Sequence, residues 1–348
     1  MKFHIVLPNR IDLAKNAELA SKRMAPRHAI DLLAKSLDAT VHQPNQESCS
    51  TADKLRAIIL PDTQLWSLAR RVHREVAAGD VIFCSSEAGG LQIASMMSRR
   101  KPVRLAMSVH NVNRPRAKLA MKLWNMAPSV DLFLACSTAQ VDFLRGFLKI
   151  DGTRAKHLFD HTDTKFFTPG PSLRSKTRPL VVSVGLERRD YKTLAAATSE
   201  MNVDVNISGF SKDAAAMRET FPKTLPDNMS RKFYEWPDLV QLYRDADAIV
   251  VSCFENKYAA GVQSLMEAAA CEKPIIATTT QGLSAYINNY IYAVRPGDAQ
   301  EMRSAIEAAL YNRAESSSRA TGGRRIALKL HDMDNHVEEL ARSLRSLS

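Results

Sequence analysis

The sequence predicts an α/β protein built as two Rossmann-like domains facing each other across a cleft. Three observations predict it. Short apolar runs rich in β-branched residues alternate with helical patterns from end to end, which is the signature of parallel strands joined by crossover helices. The alternation is interrupted once, at Phe166–Pro179, where FFTPGPSLRSKTRP holds three prolines, a glycine and no apolar periodicity. At 348 residues the chain is long for a single core, so two domains are expected.

In the first half the expected strands are Phe3–Leu7, Thr40–His42, Val81–Ser85, Val103–Val109, Val130–Ala135 and Ala155–Phe159. Helical periodicity falls between them at Arg27–Leu37, Thr63–Val76, Leu91–Arg99 and Thr138–Leu148, and the Leu7-Pro8-Asn9-Arg10 turn closes the first strand. After the linker the expected strands are Leu180–Val184, Val203–Ile207, Ala248–Ser252, Pro274–Ala277 and Ile291–Val294. The helices between them are Lys192–Ser199, Asp238–Ala246, Gly261–Ala270 and Gln300–Tyr311. A polar segment, Asn312–Arg325, then leads to a last helix over Asp332–Leu347. The expected domains are therefore 1–170 and 171–325, with 326–348 as a closing helix. Two such halves leave a ligand cleft at the carboxyl ends of their strands.

A composition of 45% hydrophobic and 24% charged residues fits a soluble globular chain. No apolar run approaches the length of about 20 residues that spans a bilayer. The N-terminus, MKFHIVLPNR, lacks a secretory cleavage pattern and reads as a first strand. The five cysteines are widely spaced, odd in number and without a CxxC pair. They point to a reducing, cytoplasmic setting and away from structural zinc. The nine histidines include no HExxH and no close ligand pair, so no metal site is expected. No GxGxxG follows a strand, which argues against a dehydrogenase.

The net charge of +11 is uneven: residues 1–170 carry +10 of it. Such a one-sided field suits an anionic surface or an acidic acceptor. Arg99, Arg100, Lys101 and Arg104 cluster before one strand. In NRPRAKLAMKLWNM, Arg114, Lys118 and Lys122 recur at helical spacing with Leu119, Leu123 and Trp124 nearby. That helix reads either as an interfacial basic helix docking on anionic lipid or as a core-facing helix with a solvated basic face. The charge also raises a nucleic-acid-binding alternative, but no stacking motif or recognised nucleic-acid module accompanies it, and no nucleic-acid partner is expected.

The stretch Asp245–Leu283 reads as buried strand, loop with Glu255, Gly-opened helix carrying Glu267, second buried strand and a Thr/Gly turn. A helix start at Ala260-Gly261-Val262 suits a phosphate. Glu267, about two turns further in, could accept from sugar hydroxyls. Phosphate donors beside a hydroxyl acceptor suggest a sugar nucleotide. Gly185 ends an apolar strand, and Arg188-Arg189 follow it at the sheet's carboxyl edge, where two guanidiniums would offer forked donors to a diphosphate. His110 ends the strand Val103–Val109 at the edge facing the expected cleft.

Several segments together resemble the GT-B glycosyltransferases, specifically the retaining group 1 (family 4) type. They are MSVHNVNRPR, ACSTAQVDFLRGF, HTDTKFFTPG, VVSVGLERRDYKTLAAA, and WPDLVQLYRDADAIVVSCFE followed by LMEAAACEKPIIATTTQGL. They occur in the family's order and flank a linker at the family's place. The resemblance implies that His110 contacts the transferred sugar and helps shape the reacting centre. It implies that an Arg and a Lys of the turn after Gly185 neutralise the leaving nucleotide; here that turn is shorter, and Arg189, then Arg188, with Lys192 in reserve, are assigned.

Glu267 matches the second Glu of the family's Glu-x7-Glu pair, which binds the ribose. Ala259 stands at the first position, and Glu255 either fills the same space by a longer loop path or is an exposed loop charge. Gly185, Gly209, Ala260, Gly261 and Val262 complete the donor-binding set. The Gly-rich turn many members carry after the first strand is absent: either Asn9, Arg10 and neighbouring side chains serve instead, or the second half holds most of the donor.

No pair of carboxylates suited to double displacement is evident. The expectation is a retaining, metal-independent hexosyl transfer without a cofactor. The donor would be a nucleotide-sugar and the acceptor lipid-linked, saccharide or polymer, in envelope or exopolysaccharide assembly, by a cytoplasmic protein peripheral to the inner membrane face. Arg114, Lys118, Lys122 and Trp124 would form the membrane or acceptor side. The departures at Ala259 and in the first loop leave a second reading, a donor-binding pseudoenzyme with a scaffold or regulatory role.

Overall fold

The computed structural model describes residues 1–97, 102–175, 177–210 and 215–348. The basic cluster Arg99, Arg100 and Lys101, and the end of the expected helix Leu91–Arg99, lie outside the described residues. The chain divides into two compact units: one comprises Met1–Ala17, His28–Phe159 and Val337–Ser348, the other Glu18–Arg27 and Asp160–His336. The division at Phe159/Asp160 falls before the Pro-rich segment, not at residue 170 as expected. The final segment joins the first unit from Val337, not from residue 326, because Arg313–Leu330 is a helix of the second unit.

The first unit carries six strands: β1 (Phe3–Val6), β2 (Thr40–His42), β3 (Val81–Cys84), β4 (Arg104–Val109), β5 (Leu132–Ala135) and β6 (Ala155–His157). They form one all-parallel sheet in the order β2-β1-β3-β4-β5-β6. Every residue of β3 and β5 is buried, as expected where helices cover both faces of a parallel sheet. Ile82, Leu105 and Phe133 from the strands, with Trp66, Leu68 and Val72 from the helix Thr63–Glu75, build the core.

The second unit repeats the plan with β7 (Leu180–Val184), β8 (Asp204–Ser208), β9 (Met229–Arg231), β10 (Ala248–Val251), β11 (Ile275–Thr278) and β12 (Ile291–Val294). All pairs are parallel, and the order is β12-β11-β10-β7-β8-β9. Counted from β7, this is the 3-2-1-4-5-6 order of dinucleotide-binding sheets. Its direction reverses between β7 and β10, which places the ligand crevice of such sheets at the carboxyl ends of these two strands.

Strand β9 is absent from the sequence-based expectation because its three residues include only one apolar side chain, Met229; Ser230 and Arg231 are exposed at the sheet edge. The polar segment Asn312–Arg325 is also mostly helical, within Arg313–Leu330. Asn312 caps it by accepting from the Glu315 amide. Its buried stripe is Ser316, Ala320, Gly323 and Ala327, small residues at helical spacing that an apolar-periodicity reading passes over. Tyr290 packs against that stripe, and a Cβ on Gly323 would lie 3.0 Å from its ring.

The segment Glu18–Arg27 is held in the second unit by Arg27. Its amide (2.8 Å), Nε (3.1 Å) and Nη2 (2.7 Å) donate to the buried carboxylate of Asp163, and Nη1 donates to Asp334 at 2.6 Å. Replacing Asp163 with Asn leaves a half-buried guanidinium short of charge compensation. The Asp163→Asn protein should lose about 3 kcal/mol of stability, read as a lower urea midpoint; an unchanged midpoint would show that this pair does not hold the segment.

Candidate functional site

In the second unit the crevice is shaped by two turns that meet between β7 and β10. Past β7 the chain enters the left-handed region at Gly185 (φ +99) and again at Arg188 (φ +54) before the helix Tyr191–Thr198, which Asp190 caps by accepting from the Thr193 amide at 2.9 Å. This turn lies antiparallel to the chain leaving β10. Arg189 and Cys253 form an isolated bridge, the Phe254 amide donates to Arg188 O (2.9 Å), and the Asp190 amide donates to Ser252 O (3.0 Å).

Arg189 does not offer its fork to a ligand, contrary to expectation. It is 3% exposed. Nε (2.9 Å) and Nη2 (2.7 Å) donate to Val184 O, Nη1 donates to Cys253 Sγ (3.0 Å), and Nη2 also donates to the Ser264 hydroxyl. The guanidinium thus ties the end of β7 to the end of β10 and to the helix Val262–Ala270. Glycine is required beside it: a Cβ on Gly185 or on Gly261 (φ +97) would stand 2.7 Å from a guanidinium nitrogen. Burial pushes the Cys253 thiol up despite Arg189, so the sulfur is a neutral acceptor.

Arg188 is the half-exposed member of the pair, and its Nη2 donates to Glu255 O at 2.7 Å. Glu255 is exposed, and its carboxylate accepts from the Gln281 amide at 2.9 Å. The Glu255 loop is therefore seated on the turn Gln281–Leu283. Gly282 fits there only without a side chain, since a Cβ would lie 1.9 Å from Tyr258 O. Lys192 is exposed on the first turn of its helix. Gly209 is buried beyond β8, and its carbonyl accepts from Arg231 Nη2 at 2.7 Å.

The Ala260-Gly261-Val262 turn opens its helix without a side-chain cap. Two of its amides are already committed: Ala260 N donates to Tyr258 O (2.7 Å) and Val262 N to Ala259 O (3.1 Å). The expectation that this helix start holds a phosphate through unpaired N–H groups narrows accordingly. Two turns further in, Glu267 is 8% exposed and its Oε2 accepts from Tyr243 Oη at 2.7 Å. Burial pushes Glu267 up to about 7, against the opposing pull of the Tyr243 hydroxyl and the Arg189 charge.

The first unit carries a second cluster, at the carboxyl ends of the neighbouring strands β3 and β4. His110 follows β4 and is 54% exposed at its side chain. Its amide donates to Oε2 of Glu87 (2.9 Å) and the Asn111 amide to Oε1 (3.0 Å). Arg114 Nη2 reaches the same Oε1 at 3.1 Å, and His110 Nδ1 stands 3.5 Å from Oε2. Burial alone would raise the Glu87 carboxyl; His110, with the two amides, instead holds it at about 2, so it is ionised at neutral pH.

Sequence reading missed Glu87. The signal was present in Glu87-Ala88-Gly89-Gly90, separated from β3 by two residues, where Gly89 adopts φ +85.

The basic helix Pro115–Leu123 resolves differently from a uniform membrane face. Arg114 is committed to Glu87, and Trp124 packs edge-on against the buried Trp66 at 5.4 Å between centroids. Lys118 and Lys122 sit over the Phe143 and Phe147 rings at 5.3 and 5.2 Å. Leu119 and Leu123 remain exposed. Among the described residues no helix is long and apolar enough to cross a membrane.

These two sheets and the switch-point turns define a class, the GT-B glycosyltransferase fold. Residues 180–325 match the family described as "Glycosyl transferases group 1", so the second unit is a group 1 glycosyltransferase domain. Among solved structures, the chain is similar to sucrose-phosphate synthase from Thermosynechococcus elongatus (TM-score 0.74, 16% identity, covering 100% of this chain and 99% of that one). It is similar to alpha,alpha-trehalose 6-phosphate synthase from Burkholderia multivorans (0.73, 12%, covering 100% and 99%). A third is Anabaena Alr3699/HepE in complex with UDP-glucose (0.69, 15%, covering 99% and 100%). No curated protein matches the sequence.

The raised Glu267 makes stability depend on pH with a defined sign. Its folded value, about 7, exceeds its ordinary value of 4.5, so between these limits the folded state binds the extra proton. Stability from this group is full below about 4.5 and is lost as pH rises through about 7. Relative to Glu267→Gln, which stays neutral and can still accept from Tyr243, the native protein should lose melting temperature between pH 5 and pH 8. A constant difference across that range would refute the buried placement.

Proposed function

We propose that the protein transfers a hexose-type sugar from a nucleotide-sugar donor to a lipid-linked, saccharide or polymer acceptor, with retention at the anomeric carbon. The observation that carries this reading is the coincidence of the group 1 match over residues 180–325 with the turns between β7 and β10, where a sheet of this order takes its nucleotide. The UDP-glucose in the HepE structure supports a uridine nucleotide as the first donor to try.

On this reading Glu267 accepts from the ribose, the Gly261 helix start faces the diphosphate, and Arg188 is the side chain that meets it directly. Arg189 contributes its charge from beneath both glycine turns, where low polarity lets it act at longer range. His110, in the first unit, contacts the transferred sugar, as the family resemblance implies. Leaving-group stabilisation by guanidinium and helix dipole needs no metal ion, so transfer should survive a chelator. Attachment to an anionic membrane from the cytoplasmic side would use the exposed Leu119 and Leu123 with Lys122 and Arg116 around them.

A melting screen against UDP-, GDP-, ADP- and dTDP-sugars tests the donor: one nucleotide family should raise the melting temperature, by mass action on the folded state. The stabilising sugar should then release its nucleotide on addition of a glycan acceptor, with and without EDTA. Stabilisation without release in any acceptor mixture would favour the donor-binding scaffold reading, and no stabilisation by any donor would overturn the proposal.

A further inference from the structure

Glu87 stands out in the first unit as a buried carboxylate that the reading above does not use. Burying a charge is costly unless it is paired and hydrogen-bonded, and here both oxygens are engaged. Oε2 accepts from the His110 amide and faces His110 Nδ1; Oε1 accepts from the Asn111 amide and from Arg114. The partners come from one place in the fold. Strands β3 and β4 pair in register, with Cys84 opposite Met107, so the residues that follow each strand end side by side at the same sheet edge. Gly90 lets this happen: a Cβ there would press into Met107 of β4 at 2.9 Å.

We propose that Glu87 is a positioning residue for His110, anchoring the His110–Asn111 turn through two backbone amides and holding the imidazole by Nδ1. A carboxylate beside Nδ1 fixes the ring proton on that nitrogen and leaves Nε2 as the ring's acceptor. It also limits rotation of a side chain that is otherwise half exposed. Arg114, on Oε1, balances the carboxylate, so the ring need not be charged to keep the pair together. The inference rests on the reading of His110 as the residue that contacts the transferred sugar, and adds which ring nitrogen is offered and what sets it.

The ring proton can be read by nitrogen-15 NMR on the whole protein without any substrate. The neutral His110 ring should carry its proton on Nδ1, and Glu87→Gln should shift the population toward Nε2–H. In transfer assays, Glu87→Gln should lower kcat by about a hundred-fold, the scale of a misplaced reacting group, with the donor KM within a few-fold. Combining it with His110→Ala should cost nothing beyond His110→Ala alone, because one residue acts through the other.

A wild-type ring protonated on Nε2 overturns the inference even in an active enzyme, and this measurement needs no variant to fold. Losses that multiply in the double variant also overturn it, by showing that Glu87 acts elsewhere. Absence of transfer by the unsubstituted protein removes the transferase reading instead, while the ring proton still decides whether the pair exists.

Discussion

The second unit depends on one buried cation. Arg189 occupies the point where the sheet changes direction, and its guanidinium joins the last carbonyl of β7, the thiol beyond β10 and a hydroxyl in the first turn of the next helix. Few side chains could do this. The planar fork satisfies three acceptors lying in different directions, whereas an ammonium is a point charge on a flexible stem. The arrangement dictates its neighbours: Gly185 and Gly261 are glycine because the guanidinium fills the space a side chain would take. The two turns are therefore shaped from below, by a charged side chain that is itself buried beneath them.

The first unit uses the opposite charge for a similar end. Glu87 is an anion buried at the carboxyl edge of its sheet, and it gathers backbone amides and Arg114 where Arg189 gathers carbonyl, hydroxyl and thiol. In each unit a buried charge lies behind the residues that the functional reading places against substrate: the exposed His110 in one, the half-exposed Arg188 and the Gly261 turn in the other. Function on this account lies in the loops, and precision is supplied by charges packed behind them.

Much of the architecture was legible in the sequence because its strands are buried on both faces. Runs such as Val81–Cys84 and Ala248–Val251 are apolar throughout, and Leu180–Val184 is so but for Ser183, so composition alone marks them. Legibility failed where burial is achieved by other means. Strand β9 lies at an edge with one apolar residue, and the helix Arg313–Leu330 buries small residues instead of large ones.

The candidate site was half legible. Motif order located Gly185, Arg188, Arg189, His110 and Glu267, but could not tell which arginine of an adjacent pair turns inward. The structure buries Arg189 and leaves Arg188, at φ +54, half-exposed. Glu87 and Tyr243 were missed because their roles arise from pairing across the fold, Tyr243 donating to Glu267 from a different helix.

The most direct test of the account is native-state hydrogen exchange on Arg189→Met. If the guanidinium is the tie between β7, β10 and the helix start, amides in 185–190 and 253–264 should lose protection while the central strands keep theirs. Unchanged protection in both turns, with donor binding abolished, would mean that Arg189 meets the ligand itself and that the turns are held by something else.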